Sequence, residues 1–381
     1  MTISVSTNEQ FTAIGDAVVE QAIANTVRQL ADDVRQLANA DNVAVYLGGG
    51  YGRGEGGVLV TQDNRHLPYN DLDFFVFSQK LSSGKRAVFN QSLQAIATKY
   101  EEKTGVPLDF APPKPIQKLR KEQHTLMYQE LLYSHRLVCG PDLLADIPCS
   151  DAHTIPILEG LRLLVNRGMG LLFAAQKMST DATAPATIDF AVRNLHKSAM
   201  GAGDALLIAQ HRYDYNLDRR LKIILYDSHV KSIFTNLAPL YQAAYDFKIQ
   251  PSTSSMDPLA QLPMYLDRWL EAARNFVAIT TDRSASILET TNQLSACVFR
   301  HPSFIGRSPL LNALRWIAKT KSAFPLPQLF KNATTRLFVM LHESLLEIHD
   351  RFVKQQASLA QITAENNERH QELTRLWQIF N

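Results

Sequence analysis

Cysteine is scarce in this sequence: Cys139, Cys149 and Cys297 are the only three in 381 residues, and no two form a Cys-x-x-Cys pair. That excludes a disulfide framework and a zinc ribbon, and it casts the thiols as small buried hydrophobes in a reducing compartment. Long apolar runs are missing too. No stretch approaches the ~18 consecutive apolar residues of a membrane-spanning helix, and the opening MTISVSTNEQ lacks the basic start and apolar run of a secretory signal. These absences predict a cytoplasmic protein with no membrane partner. Charge of one sign is not in excess: 39 Lys and Arg against 37 Asp and Glu leave a net charge of +2. A global basic field for nucleic acid is thereby excluded, although local basic patches are not. No repeat of fixed period is present, which argues against a solenoid. Neither a Gly-x-Ser-x-Gly elbow nor an HExxH pair occurs, so His342 and His349, although able to share a helix face, do not make a zinc site.

What is present changes character along the chain. Ile23, Val27, Leu30, Val34 and Leu37 recur at helical spacing and predict an amphipathic helix over 9–39. The run 42–47 (NVAVYL) reads as a buried strand that ends in glycines, and 71–77 (DLDFFVF) reads as a second strand. Phe89, Leu93, Ile96 and Tyr100 mark another helix face. A third strand is expected at 106–110, closed by Pro112, Pro113 and Pro115, which cannot continue a ladder. A basic helix over 116–131 then leads to a fourth strand at 132–139. From Ile155 onward the apolar spacing is helical, over 155–178, 186–212, 232–248, 259–296, 308–320 and 327–363, with 178–187 as a loop. The pattern predicts an α+β chain: a mixed sheet flanked by helices over 1–150, then an all-α domain over 151–381.

Chemistry concentrates in the first part. Five glycines crowd into the seven residues 48–54, directly after an apolar strand. Such a turn lets the backbone approach a ligand closely and offers exposed amides to phosphate, with Arg53 able to add a cation. Its spacing fits neither the P-loop nor the dinucleotide fingerprint. Asp71 and Asp73 stand at i and i+2 of a strand, so both side chains leave one face while Leu72 and Phe74 point into the core. Two carboxylates so close repel unless a cation or proton intervenes, and hard oxygen donors suit Mg²⁺. Asp109 sits in a further apolar strand, where burying a charge is costly. If that strand neighbours 71–77, three carboxylates converge and can hold two ions about 3.5–4 Å apart for an in-line displacement.

In this order the residues resemble the polymerase-β-like nucleotidyltransferase superfamily: a strand, a glycine turn, an Asp-x-Asp strand, then a third Asp on a later strand. Gly49-Gly50-Tyr51-Gly52-Arg53-Gly54-Glu55 is similar to the GGYGRGE turn of the uridylyltransferases that modify PII signalling proteins. Pro68-Tyr69-Asn70-Asp71-Leu72-Asp73 is similar to their PYSDxD segment. The resemblance covers about residues 43–140. It implies a nucleotidyltransferase-type sheet and transfer of a nucleoside monophosphate from an NTP, with pyrophosphate leaving. Asp71 and Asp73 would then bind Mg²⁺ or Mn²⁺, Asp109 would serve as ligand or base near the acceptor hydroxyl, and Gly49, Gly50, Tyr51 and Arg53 would hold the triphosphate. The stretch between Glu55 and Asp71 is longer than in that family and reads as a hairpin over the site.

The segment around 190–197 is similar to the helix that packs over the nucleotide in many small nucleotidyltransferases. That likeness implies triphosphate contacts from Arg193 and Lys197, with Asp204 on the same face orienting the acceptor. Lys114, Lys118, Arg120 and Lys121 read as a solvated helix face in preference to an RNA-binding run. Leu337, Leu341, Leu345 and Ile348 read as core or as the seam of a homodimer. The modest net charge favours a protein or small-molecule acceptor over an RNA end. Two rival readings are a non-catalytic nucleotide-binding module of the same fold and an unrelated glycine-turn kinase.

Overall fold

The computed structural model describes residues 10–122, 124–252, 256–288, 290–306, 308–320 and 331–380. They fall into two compact units, Met1–Ser150 with Asp246–Ser252, and Asp151–Tyr245 with Thr253–Asn381. The chain is mixed α+β, predominantly helical, with a small mixed sheet.

The first unit runs α1 (Ala17–Arg35), β1 (Val43–Leu47), α2 (Gly49–Gly52), β2 (Val58–Val60), β3 (His66–Pro68), β4 (Leu72–Ser78), α3 (Ser83–Thr104), β5 (Leu108–Phe110), β6 (Lys114–Pro115), α4 (Ile116–Lys121), α5 (Leu126–Tyr133) and β7 (Arg136–Cys139). The main sheet has strand order β5-β4-β1-β7, with β6 also paired to β4. β1 is antiparallel to β4 and β7, whereas β5 and β6 run parallel to β4. On one face Val45, Leu47, Leu72, Phe74, Val76, Leu108 and Phe110 pack against α1 and α3. On the other, Ala44, Tyr46, Phe75 and Phe77 pack with Ile116 and Leu119 of α4 and Leu131 and Leu132 of α5. Burial on both faces explains why the strands read as nearly unbroken apolar runs.

Two expectations for this unit need correction. The prolines after 110 do not close the ladder: Ala111 N–H donates to Phe74 O at 2.9 Å, and β6 rejoins β4 at Phe77 and Ser78. Pro115 is tolerated there as the last residue of the two-residue strand. The fourth strand begins at Arg136, because Leu131 and Leu132 pack as part of a helix against the second face of the sheet. The expected hairpin forms as β2–β3, and contacts that the sequence does not reveal also join it to the residues leading into α1. His66 Nδ1 pairs with the Asp16 carboxylate, and Gly56 exchanges backbone bonds with Phe11 and Ala13 at 3.1 Å.

The second unit is helical. α6 (Ile157–Thr180) and α7 (Pro185–Ala209) are joined by residues 181–184 alone, shorter than the expected loop, with Pro185 at the first helical position where its missing N–H costs nothing. The expected helix over 259–296 divides. Pro258–Thr281 stops at left-handed Asp282 (φ 51°), and Thr291–Val298 starts afresh from a Thr290/Gln293 capping box. Segment 232–248 divides likewise into Lys231–Phe234 and Ala238–Ile249. Helices Leu217–Tyr226 and Asn367–Phe380 lie outside the segments that the apolar spacing marks, and the first part of 327–363 lies outside the described residues. Leu337, Leu341, Leu345 and Ile348 are all buried within the chain, so this stripe is core and is not available as a dimer seam. Among the described residues no helix is long and apolar enough to cross a membrane.

Two histidines of this unit, His196 and His342, are held by burial at a pKa of about 4. The unfolded chain takes up their protons near pH 6.5 and the folded chain does not, so stability is full above pH 6.5 and is lost as the pH falls toward 4. Urea titrations between pH 6.5 and 4.5 should therefore show a shallower pH dependence for His342→Gln than for the wild-type chain, by about 2 kcal/mol over the window. An unchanged slope would contradict the buried neutral imidazole.

Candidate active site

The register of β4 on β5 decides what the first unit can do. Leu72 pairs with Leu108, Asp73 with Asp109, and Phe74 with Phe110. In a parallel pair, registered residues leave the same side of the sheet on strands about 4.8 Å apart. Phe74 and Phe110 stack on the core side with ring centroids 4.8 Å apart. Asp73 and Asp109 therefore stand side by side on the opposite face. Asp73 is half-buried, whereas Asp71 and Asp109 are exposed. The exposure of Asp109 corrects the expectation of a buried charge: only its neighbours Leu108 and Phe110 enter the core.

Asp73 also meets the glycine turn. Gly49 opens α2 with φ +58°, and a Cβ built on it would lie 1.9 Å from Asp73 Oδ2. The carboxylate occupies the space that a side chain at 49 would fill. Gly48 N–H donates to Asp73 O at 2.8 Å, joining turn and strand through the backbone as well. Gly50, by contrast, would accept a Cβ at ordinary contact distance, 3.5 Å from Glu55 O. Because α2 begins at Gly49, the first intrahelical donor is Gly52 N–H, on Gly48 O at 2.7 Å, and the amides of Gly49, Gly50 and Tyr51 come before it.

Tyr51 and Arg53 have different surroundings from those expected. The Tyr51 ring is 1% exposed, so the side chain belongs to the core and does not present itself to a ligand. Its hydroxyl donates to Gly57 O at 2.8 Å and accepts from Tyr69 N–H at 3.0 Å. Burial, with the charge of Asp71 adding to it, pushes the phenol up to about 12. Arg53 is held between Glu55 at 3.1 Å and Glu130 of α5 at 3.3 Å, and Lys248 approaches Glu55 at 3.6 Å. Glu130 and Lys248 escaped notice in the sequence because each reaches the turn from a distant segment. Only the charge pattern of the turn itself, an Arg followed by a Glu, hinted that a pair would form.

Arg193 and Lys197 lie on α7 in the helical unit. Arg193 is ion-paired with Asp189 one turn earlier at 2.8 Å, and Lys197 is exposed. Asp204, expected on the same functional face, is instead buried, bound to Arg220 Nε at 3.0 Å and the Tyr241 hydroxyl at 2.7 Å. Its role is structural. Lys118, Arg120 and Lys121 are exposed, with Arg120 paired to Asp146, as on a solvated helix face, whereas Lys114 lies on β6, paired to Glu122 and largely covered beneath its place over the Tyr128 ring. His342 is buried with Nδ1 on Thr291 Oγ1 at 2.9 Å.

Among the described residues no group of three or more His, Cys, Asp and Glu side chains is gathered to hold a metal ion. The expected convergence of three acids is thus met only by the pair Asp73 and Asp109, with Asp71 two residues before Asp73. That donor set is all carboxylate oxygen, which fits Mg²⁺ or Mn²⁺ with part of the coordination left to water and phosphate. No protein-family model, no curated protein and no solved structure matches this chain.

The crowding at Gly49 generates a paired prediction. Gly49→Ala should lower stability by more than about 1 kcal/mol, because it combines a left-handed backbone with a clash against Asp73. That corresponds to a loss of about 2–4 °C or more in Tm. Gly50→Ala should leave Tm unchanged or slightly raised. Equal Tm values for the two variants would contradict the placement of the Asp73 carboxylate.

Proposed function

We propose that this chain is a metal-dependent nucleotidyltransferase that transfers a nucleoside monophosphate from an NTP to a hydroxyl acceptor and releases pyrophosphate. The observation that carries the reading is the in-register pair Asp73 and Asp109, with Asp73 pressed against the glycine turn. It is supported by the resemblance of the 49–55 and 68–73 segments to nucleotidyltransferase motifs. Mg²⁺ or Mn²⁺, when bound, supplies neutralisation of the triphosphate and activation of the acceptor oxygen. Asp71 and Asp73 would hold it, with Asp109, in register beside Asp73, serving as a further ligand or as base toward the acceptor hydroxyl. The amides of Gly49 and Gly50 receive phosphate oxygens. Arg53, anchored by Glu55 and Glu130, contributes positive potential through a fixed guanidinium. A protein or small-molecule acceptor is favoured over an RNA end by the near-balanced charge.

The test is incubation with each α-labelled NTP, Mg²⁺ or Mn²⁺ and a cell lysate, following both the labelled product and pyrophosphate. Asp73→Asn should abolish labelling, by at least about 100-fold, while its unfolding midpoint stays level or rises as carboxylate repulsion is relieved. Wild-type labelling by Asp73→Asn would refute the assignment. Release of a nucleoside diphosphate in place of pyrophosphate would point to a kinase.

A further inference from the structure

Tyr51 lies inside the glycine turn yet does not face a ligand, and its hydroxyl is more than core filling. The ring packs so closely beneath Gly56 that a Cβ there would lie 2.1 Å from it. A phenylalanine would fill that space without burying a polar group, which is costly unless hydrogen-bonded. The hydroxyl makes two bonds, to Gly57 O and to Tyr69 N–H, and so ties the turn to both ends of the β2–β3 hairpin. The chain leaving the hairpin is then pinned again at Leu72, whose N–H donates to Pro107 O at 2.9 Å. Asp71 sits in the short span between these two pins.

We propose that Tyr51 is a positioning residue: its hydroxyl, through Tyr69, fixes where the Asp71 carboxylate stands relative to the glycine turn and Asp73. The inference rests on the nucleotidyltransferase reading above. It assigns Tyr51 to the geometry of the metal-holding carboxylates and not to nucleotide contact.

The experiment is a Mn²⁺ titration of the full chain, followed by water-proton relaxation, for wild type, Tyr51→Phe, Asp71→Asn and the double variant, each checked by circular dichroism. Tyr51→Phe should weaken Mn²⁺ binding about five- to tenfold, the worth of one or two hydrogen bonds. In the Asp71→Asn background the same change should cost nothing further, since Tyr51 acts through Asp71. Wild-type affinity in Tyr51→Phe, or an equal loss in both backgrounds, would overturn the proposal while leaving the nucleotidyltransferase reading intact. Failure of the wild-type chain to bind Mn²⁺ at all would remove that reading and this inference with it. Should Tyr51→Phe not fold, Tyr69→Pro deletes the same hydrogen bond from the donor side, and wild-type Mn²⁺ affinity there would equally overturn the proposal.

Discussion

The parallel pairing of Leu108–Phe110 with Leu72–Ser78 governs the arrangement of the first unit. Because side chains alternate across a strand, placing Leu72, Phe74, Leu108 and Phe110 against the helices of one face leaves Asp73 and Asp109 no choice but the other. A slip of one residue in β5 would turn Asp109 into the apolar layer and Leu108 and Phe110 out of it. The hydrophobic pattern therefore protects the register, and the register sets the acids beside each other. Further along the same face, Phe75 and Phe77 are covered by α4 and α5, so the acids occupy the end of the sheet that this cover leaves open.

The glycine turn is held by a separate set of contacts whose energetics are those of buried polar groups. Arg53, Glu55, Glu130 and Lys248 alternate in sign and are each largely buried. Removing one member would strand its partners in a low-dielectric setting, which costs more than the pair contributes when whole. The Tyr51 hydroxyl likewise exchanges water for two protein partners. Rigidity of this kind suits a loop that must grip a flexible polyphosphate, since ordering the loop in advance removes that entropy cost from binding. The helical unit uses the same device in Asp204, Arg220 and Tyr241, but deep in its own core, where the result is structural.

Local features were legible from sequence, and long-range ones were not. The strands at 43–47 and 72–78 and the helix around Phe89, Leu93, Ile96 and Tyr100 follow from apolar spacing alone, as does the change to helices after Ile155. The adjacency of Asp71 and Asp73 is a matter of counting. The neighbour relation between Asp73 and Asp109 is not, because it depends on which strand pairs with β4. The glycines around Tyr51 suggest open space, whereas that absence of side chains is what admits its ring beneath Gly56. Arg53 presented itself as a spare cation because Glu130 and Lys248 are remote in the chain. For Asp204 helical spacing gives the face but does not say whether that face is buried. The two-residue β6 lay hidden behind prolines, which end a ladder only where an N–H is needed.

The most direct measurement is anomalous diffraction from crystals grown with Mn²⁺ and tripolyphosphate. The carboxylate arrangement predicts a manganese peak against Asp73, flanked by Asp71 and Asp109, with phosphate density against the amides of Gly49 and Gly50. Manganese elsewhere, or phosphate away from the glycine turn, would contradict it.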